Sequence, residues 1–191
     1  MKKIPTHLAL IFNETYYRSK SIAELLNWCY MLRIQTITLY SEEGIEEKIR
    51  NEILRDLRKM FSRQITQDGN KTIMQQLDVC ASDMKNRNLE IMFIDRMNGK
   101  PAIAKVATNY LSNHKQELCV EEFEKKVFLE SEFKPPELAI IFGPAFSACG
   151  YPPWHLQFTE MYHFQTHRYI HWRSVLDVFT SFAKTKQNYG K

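Results

Sequence analysis

Three histidines, His163, His167 and His171, recur every four residues and are the first candidates for chemistry in this sequence. On a helix, this spacing would stack three imidazoles on one face, where they could hold a metal ion. The surrounding segment, however, has no periodic apolar face and offers no nearby Cys, Asp or Glu. We therefore interpret the three histidines as loop or packing residues and keep a metal site as the alternative.

No other motif in the sequence favours a catalytic class. The six glycines stand singly, so the sequence has neither a dinucleotide-binding glycine motif nor a Walker loop, and it has no Gly-x-Ser-x-Gly elbow. The four cysteines lie far apart, which favours reduced thiols over a zinc site or a disulfide framework. With 26 Lys and Arg against 22 Asp and Glu, the net charge of +4 is too small to indicate nucleic-acid binding. It suits a phosphate-bearing ligand or an anionic membrane surface.

Short apolar runs alternate with helical patterns along the chain. Strands are predicted at 7–12, 34–40, 89–94 and 138–142, helices at 19–33, 42–64, about 103–111, about 120–127 and 172–182, and a turn at 65–72. Nearly continuous apolar strands separated by helices are typical of an open, mostly parallel sheet flanked by helices. We therefore expect a single α/β domain over residues 1–191. No apolar run approaches the roughly 20 residues of a membrane-spanning helix, so we expect a soluble chain.

The predicted carboxyl ends of the strands are poor in charged groups. Ligands bind beyond these ends in open parallel sheets, and a phosphate-binding or metal-binding enzyme would need Asp and Arg there. Asn13 follows the first predicted strand, Gly143 and Pro144 follow the last, and residues 141–150 contain no Arg or Lys.

Several segments resemble the cis-prenyltransferases, the family of undecaprenyl and dehydrodolichyl diphosphate synthases. These are residues 5–11 (Pro-Thr-His-Leu-Ala-Leu-Ile), the strand at 36–40, and residues 153–160 (Pro-Trp-His-Leu-x-x-Thr-Glu). Residues 136–144 (Pro-Glu-Leu-Ala-Ile-Ile-Phe-Gly-Pro) and 188–191 (Asn-Tyr-Gly-Lys) resemble one branch more closely. That branch comprises the accessory subunits of dehydrodolichyl diphosphate synthase of the Nogo-B receptor type, and we expect a fungal member.

The resemblance implies a chemistry that this chain lacks on its own. The active relatives condense isopentenyl diphosphate onto an allylic diphosphate with magnesium, using an aspartate after the first strand and arginines after the last one. Asn13 stands at the aspartate position, and an uncharged amide is a much weaker magnesium ligand than a carboxylate. Glu160 matches the magnesium-associated glutamate of the enzymes and is the metal candidate; the alternative is an exposed or helix-terminal carboxylate.

The C-terminal motif implies a role in a neighbouring subunit. In the heterodimers of this family, the tail crosses the interface and completes the partner's active site, usually with Arg-x-Gly. Here the motif is Asn188-x-Gly190, whose glycine leaves the backbone N–H free to approach a phosphate oxygen. Large apolar groups at Trp154, Phe158 and Tyr162 are expected at the dimer contact, although core packing is the alternative for Trp154.

The resemblance therefore predicts a non-catalytic regulatory subunit. It would form a heterodimer with a catalytic cis-prenyltransferase subunit, share a site for isopentenyl diphosphate, and leave magnesium mainly to its partner. The complex would supply dolichol for protein glycosylation on the cytosolic face of the endoplasmic reticulum membrane, attached through a segment that this sequence lacks or through the partner. The alternatives are a self-sufficient homodimeric prenyltransferase and a receptor-like binding module on the same scaffold.

Overall fold

The computed structural model describes residues 3–60, 64–68, 71–75, 88–113, 119–131 and 133–185. The strands are β1 (His7–Phe12), β2 (Thr36–Ser41), β3 (Gln64–Asp68), β4 (Lys71–Gln75), β5 (Asn88–Ile94), β6 (Leu138–Phe142) and β7 (Glu160–Phe164). The helices are α1 (Ser19–Met31), α2 (Glu47–Met60), α3 (Lys100–Asn113), α4 (Val120–Ser131) and α5 (Trp172–Lys184). All seven strands belong to one sheet, in the order β3-β4-β5-β2-β1-β6-β7.

The centre of this sheet is parallel, as the sequence predicts. β5, β2, β1, β6 and β7 all run in the same direction, with Leu8 of β1 in register with Leu138 of β6. β1 and β6 are buried along their whole length because helices cover both faces of the sheet. Their carboxyl ends therefore lie along one edge of the sheet, which we call the carboxyl edge; the opposite one is the amino edge.

Two parts of the sheet differ from the prediction. The turn predicted at residues 65–72 is too long, because residues 65–68 and 71–72 belong to the strands of an antiparallel hairpin formed by β3 and β4, with Asp68 opposite Lys71. β7 was also not predicted, since its residues are half-buried or exposed and include the polar Glu160 and His163. Neither segment has the continuous apolar run that marks a strand buried on both faces.

The helices divide between the two faces of the sheet. Buried side chains of α1, α2 and α5 share one core cluster with the even-numbered positions of β1 and β6. On the other face, α3 and α4 pack together around Val106, Phe123 and Val127, with Trp154 against them. Among the described residues, no helix has both the length and the apolar character needed to span a bilayer.

Candidate functional site

Asn13 lies at the carboxyl edge, directly after β1, and ties two loops together. Its backbone N–H donates to the Phe142 carbonyl at 2.7 Å, and its side-chain Nδ2 donates to the Ser147 carbonyl at 2.6 Å. The Oδ1 atom is buried and accepts no hydrogen bond from the described residues. This orientation is assigned from the hydrogen bonds, because the reversed amide would set Oδ1 against the Ser147 carbonyl oxygen. The amide thus anchors the loop after β6.

Gly143 makes this close approach of the two loops possible. Its φ of +140° lies in the region that side chains rarely adopt, and a Cβ atom there would lie 2.6 Å from the Asn13 carbonyl oxygen. From the other side, His163 of β7 donates from Nε2 to the Gly143 carbonyl at 2.8 Å. The ring of His163 meets Phe146 edge-on at 6.0 Å between centroids. The loop after β6 is therefore held by β1 and by β7.

Glu14 forms a second link across the carboxyl edge. Its carboxylate accepts hydrogen bonds from the Thr166 hydroxyl at 2.5 Å, from the His167 backbone N–H at 3.1 Å, and from Nδ1 of the His167 ring. The other ring nitrogen of His167 accepts the backbone N–H of Arg18 at 2.9 Å. The His167 side chain is fully buried and that of Glu14 is 7% exposed. The loop after β1 is thereby joined to the loop after β7.

The hydrogen bonds define the charge state of this pair. Burial lowers the pKa of His167, and this outweighs the opposite influence of the Glu14 carboxylate. Burial alone would raise the pKa of Glu14, but the bonds from Thr166 and His167 outweigh it and leave the pKa below its usual value. A neutral imidazole that donates through Nδ1 and accepts through Nε2 fits both partners. The pair is therefore a neutral histidine beside an ionised glutamate.

The polar groups of this edge do not fit a magnesium ion. Magnesium requires oxygen ligands, usually one or two carboxylates with several waters. The Glu14 carboxylate already accepts three hydrogen bonds in a nearly closed pocket, and Asn13 turns its amide nitrogen to the Ser147 carbonyl. Among the residues that the structure describes, no group of three or more His, Cys, Asp or Glu is placed so that it could hold a metal ion.

The structure separates Glu160 from Asn13. Glu160 is the first residue of β7 and is in register with Leu138 of β6, which is in register with Leu8 of β1. Asn13 follows Leu8 by five residues, so Glu160 and Asn13 are about 16 Å apart along the strand direction. Its Oε1 accepts the Tyr162 hydroxyl at 2.6 Å and the Thr185 hydroxyl at 3.1 Å. The Oε2 atom is buried without a hydrogen bond to the described residues. Glu160 is a strand residue at the amino edge, and its metal role stays a prediction.

The three predicted contact residues have different surroundings. Trp154 is half-buried against Phe123, with 5.5 Å between ring centroids, which fits the packing alternative. Phe158 is 65% exposed just before β7. Tyr162 is half-buried, and burial together with the Glu160 carboxylate raises its pKa to about 12, so that it stays a hydroxyl donor.

The three histidines at four-residue spacing do not share a helix face. His163 lies in β7, His167 in the loop that follows, and His171 is the N-cap residue of α5. The Glu14–His167 pair could not be predicted from the sequence, because the two residues are 153 positions apart. The exposed aromatic rings of Phe146, at 63%, and Tyr169, at 73%, were also missed, because an exposed aromatic residue looks like a core residue in a sequence.

A groove of about 1000 Å³ opens at the amino edge of the sheet. It is lined by His7, Phe133 and Lys134 and by the α4 residues Phe128 and Leu129. Open parallel sheets bind ligands at the other end of their strands. The groove is therefore separate from the loops joined by Asn13 and Glu14. The predicted tail residues Asn188 and Gly190 lie outside the described residues.

No protein-family model matches the chain. The chain is 24% identical over its whole length to the human dehydrodolichyl diphosphate synthase complex subunit NUS1, of which it covers 68%. It is 26% identical over 85% of its length to the Schizosaccharomyces pombe subunit nus1 of the same complex, again covering 68% of that protein.

Two solved structures share the fold. One is a probable undecaprenyl diphosphate synthase from Campylobacter jejuni, with a TM-score of 0.63 and 14% identity over the whole of both chains. The other is lavandulyl diphosphate synthase from Lavandula x intermedia, with a TM-score of 0.64 and 13% identity over 98% of this chain and 99% of that one. The chain thus has the cis-prenyltransferase fold and resembles, over its whole length, the NUS1 subunits of dehydrodolichyl diphosphate synthase complexes.

Proposed function

We propose that this chain is a non-catalytic regulatory subunit that binds and activates a catalytic cis-prenyltransferase subunit. Together the two would form a dehydrodolichyl diphosphate synthase that makes the precursor of dolichol for protein glycosylation. The proposal rests on the similarity to the NUS1 subunits and on the state of the carboxyl edge. The state of the carboxyl edge is the observation that supports the proposal most directly.

At the carboxyl edge, the polar side chains that could bind a ligand are engaged in contacts within the chain. Asn13 donates to Ser147, and the Glu14 carboxylate is saturated by Thr166 and His167. A diphosphate with its magnesium ion would need free carboxylates and cationic side chains at this position, and the loop at 143–150 has no Lys or Arg. The contacts favour a protein that keeps the scaffold for assembly and leaves magnesium and catalysis to its partner.

The place where α5 ends supports an action of the C-terminal motif on another chain. α5 starts after the carboxyl end of β7 and returns to the amino edge, where Thr185 contacts Glu160. Its 13 residues make it about 20 Å long. Thr185, the last described residue, thus lies at the edge of the sheet opposite to Asn13. We propose that the Asn188-x-Gly190 motif, which follows it in the sequence, acts on the partner's site.

The outer edge of β7 is the surface that we assign to the partner. β7 is the last strand of the sheet and pairs only with β6 in the described part of the chain. Phe158 precedes its first residue, and Phe146 contacts His163 near its other end, so an exposed aromatic ring flanks each end of the strand. Large aromatic groups beside an unpaired strand are typical of a protein contact.

The remaining parts of the proposal follow from the heterodimer. Isopentenyl diphosphate would bind in a site shared by the two subunits, with Asn188 and Gly190 near its diphosphate. Glu160 is the one residue of this chain that we keep as a candidate near the partner's magnesium. The complex would work on the cytosolic face of the endoplasmic reticulum membrane.

An assay with the separate and combined subunits tests the proposal. The chain is purified alone and after co-expression with a catalytic dehydrodolichyl diphosphate synthase subunit from the same genome. Each sample receives magnesium, farnesyl diphosphate and radiolabelled isopentenyl diphosphate. We expect no polyprenyl product from the chain alone and more product from the complex than from the catalytic subunit alone. Product from the isolated chain would support a self-sufficient homodimer and contradict the proposal.

A further inference from the structure

Glu160, the first residue of β7, contacts Thr185, the residue directly after α5. The Thr185 hydroxyl lies 3.1 Å from Oε1 of Glu160, which is 25 positions away in the sequence, and 3.2 Å from the Ser181 carbonyl, so its one hydrogen is shared between the two acceptors. Thr185 is the C-cap of α5, and its backbone N–H still bonds back to the Ser181 carbonyl at 3.1 Å. Its φ of −69° and ψ of 126° are extended, so the chain leaves the helix at this residue. The contact therefore lies at the origin of the C-terminal tail.

Glu160 is itself firmly held. Its backbone N–H donates to the Glu137 carbonyl at 3.1 Å, and the Tyr162 hydroxyl donates to the same Oε1 atom that Thr185 contacts. On the helix side, the fully buried Phe179 and Phe182 anchor the last turns of α5 in the core. Both ends of the Glu160–Thr185 bond are thus attached to rigid elements.

We propose that Glu160 is a positioning residue for the C-terminal tail, because its bond to Thr185 fixes the point and direction in which the tail leaves α5. This inference rests on the proposed function, in which that tail completes the active site of a catalytic subunit. Asn188 is only three residues beyond Thr185, about 10 Å of extended chain. Over such a short distance, we expect the direction of the chain at Thr185 to limit which sites Asn188 and Gly190 can reach.

The physical reason is the entropy of a short segment. A tail with a fixed origin searches a smaller volume, so less conformational freedom is lost when its groups reach the diphosphate. Without the hydroxyl of Thr185, the last residues of α5 can fray, as helix ends do when no cap holds them. We expect a loss of about three- to tenfold in activity, which corresponds to one hydrogen bond.

The experiment compares four substitutions within the heterodimer. Thr185→Val removes the hydroxyl and keeps the shape, Glu160→Ala removes the acceptor, and Glu160→Gln keeps an acceptor without the charge. Thr180→Val is the matched control, because the Thr180 hydroxyl bonds only to the Leu176 carbonyl within α5 among its described contacts. For each complex, kcat and KM for isopentenyl diphosphate are measured, together with the affinity between the subunits and the thermal midpoint of the free chain.

We expect Thr185→Val and Glu160→Ala to raise the KM about three- to tenfold with unchanged subunit affinity. Thr180→Val should leave kinetics unchanged, and Glu160→Gln should retain most of the activity because its amide oxygen still accepts the hydroxyl. If Glu160→Gln loses as much activity as Glu160→Ala while Thr185→Val is normal, the charge matters and the positioning role is wrong.

Removal of residues 186–191 separates this inference from the proposed function. In a complex without the tail, Thr185→Val and Glu160→Ala should cause no further loss. An equal loss with and without the tail would show that Glu160 acts independently of it, which overturns the inference. If deletion of the tail changes nothing, completion of the partner's site is wrong. If deletion lowers activity but Thr185→Val and Glu160→Ala have no effect, only the positioning role fails.

Discussion

Nδ1 of His167 donates a hydrogen bond to the carboxylate of Glu14, and this buried contact joins the loop after β1 to the loop after β7. The two residues are 153 positions apart in the sequence. In an enzyme with this fold, loops at this edge must stay open to accept a ligand. In this chain, the same loops are bonded to one another.

Loss of the histidine should destabilise the fold. His167→Ala removes one of the three donors to the buried Glu14 carboxylate, the ring Nδ1–H, and leaves a cavity beside a charge that has lost a hydrogen bond. We expect a loss of about 3 kcal/mol in the free energy of unfolding, measured by urea denaturation. Glu46→Ala, at an exposed position, is the control and should change it by less than about 0.5 kcal/mol. Similar values for both variants would contradict the structural role of the pair.

Restoring the aspartate should not restore catalysis. In Asn13→Asp, a carboxylate oxygen replaces the Nδ2 donor and faces the Ser147 carbonyl at close range. We expect no polyprenyl product from the isolated variant and a loss of about 1–3 kcal/mol in stability. Thermal unfolding with and without magnesium checks this prediction. A clear rise of the midpoint with magnesium, accompanied by product, would show that the edge can still bind the ion.

Gly143 should tolerate substitution less well than Gly44. Gly143→Ala adds a Cβ atom 2.6 Å from the Asn13 carbonyl oxygen, so backbone must move. In Gly44→Ala, the added Cβ atom lies 3.5 Å from its nearest neighbour, so there is no clash. The φ of +79° alone should lower the free energy of unfolding by about 1 kcal/mol. We expect Gly143→Ala to cost at least about twice as much. Equal unfolding free energies for the two variants would contradict the close contact between the loops.

The stability of the chain should fall as the pH drops from about 6.5 to 4. Burial lowers the pKa of His7 to about 4 and that of His155 to about 4. Between pH 4 and pH 6.5, these histidines are protonated in the unfolded chain but stay neutral in the folded chain. The free energy of unfolding therefore falls as the pH drops through this range. For His7 the loss is limited to about 3 kcal/mol.

Urea midpoints measured across this pH range test the effect. His7→Gln cannot take up a proton and should flatten the pH dependence, although the variant is less stable overall because Nδ1 of His7 bonds to the Lys134 carbonyl. His171→Gln, at an exposed position, is the matched control. An unchanged slope in His7→Gln would assign the pH dependence to other groups.

A charge at the β7 edge should weaken assembly without unfolding the chain. Phe158→Asp places a carboxylate at a 65% exposed position beside the strand that we assign to the partner. We expect the Kd for the catalytic subunit to rise about tenfold or more, measured by titration of purified subunits. Leu129→Asp, on α4 at 77% exposure, makes the same kind of change elsewhere and should bind normally. Equal effects of the two variants would place the contact on another surface.

The parallel core could be predicted from the sequence because its strands carry their own signal. The residues of β1 and β6 are all buried, so each appears as an unbroken apolar run. The amphipathic helices α1 and α5 were predicted from spacings of three and four residues, and the structure begins both at the expected residue. Burial on both faces and helical periodicity are local properties of the chain.

The contacts of the carboxyl edge could not be predicted in this way. The position of Asn13 after the first strand was predicted, but its bond to Ser147 depends on a loop 134 residues away. Likewise, Glu160 was expected near a metal, whereas its bonds to Tyr162 and Thr185 depend on the return path of α5. Such pairings follow from the order of strands in the sheet, which no local pattern contains.

The open side of β7 has a consequence for the free subunit. Unpaired strand edges offer amide and carbonyl groups to any passing chain, and natural proteins normally shield them with charges, proline or a cover. In the described part of this chain, β7 has no proline and pairs with no strand on its outer side, and the carboxylate of Glu160 is bonded to Tyr162 and Thr185. The exposed rings of Phe146 and Phe158 lie close by. When this chain is present in excess over the catalytic subunit, we therefore expect the excess to aggregate at high concentration. The amount of soluble chain in a cell would then be limited by the amount of catalytic subunit.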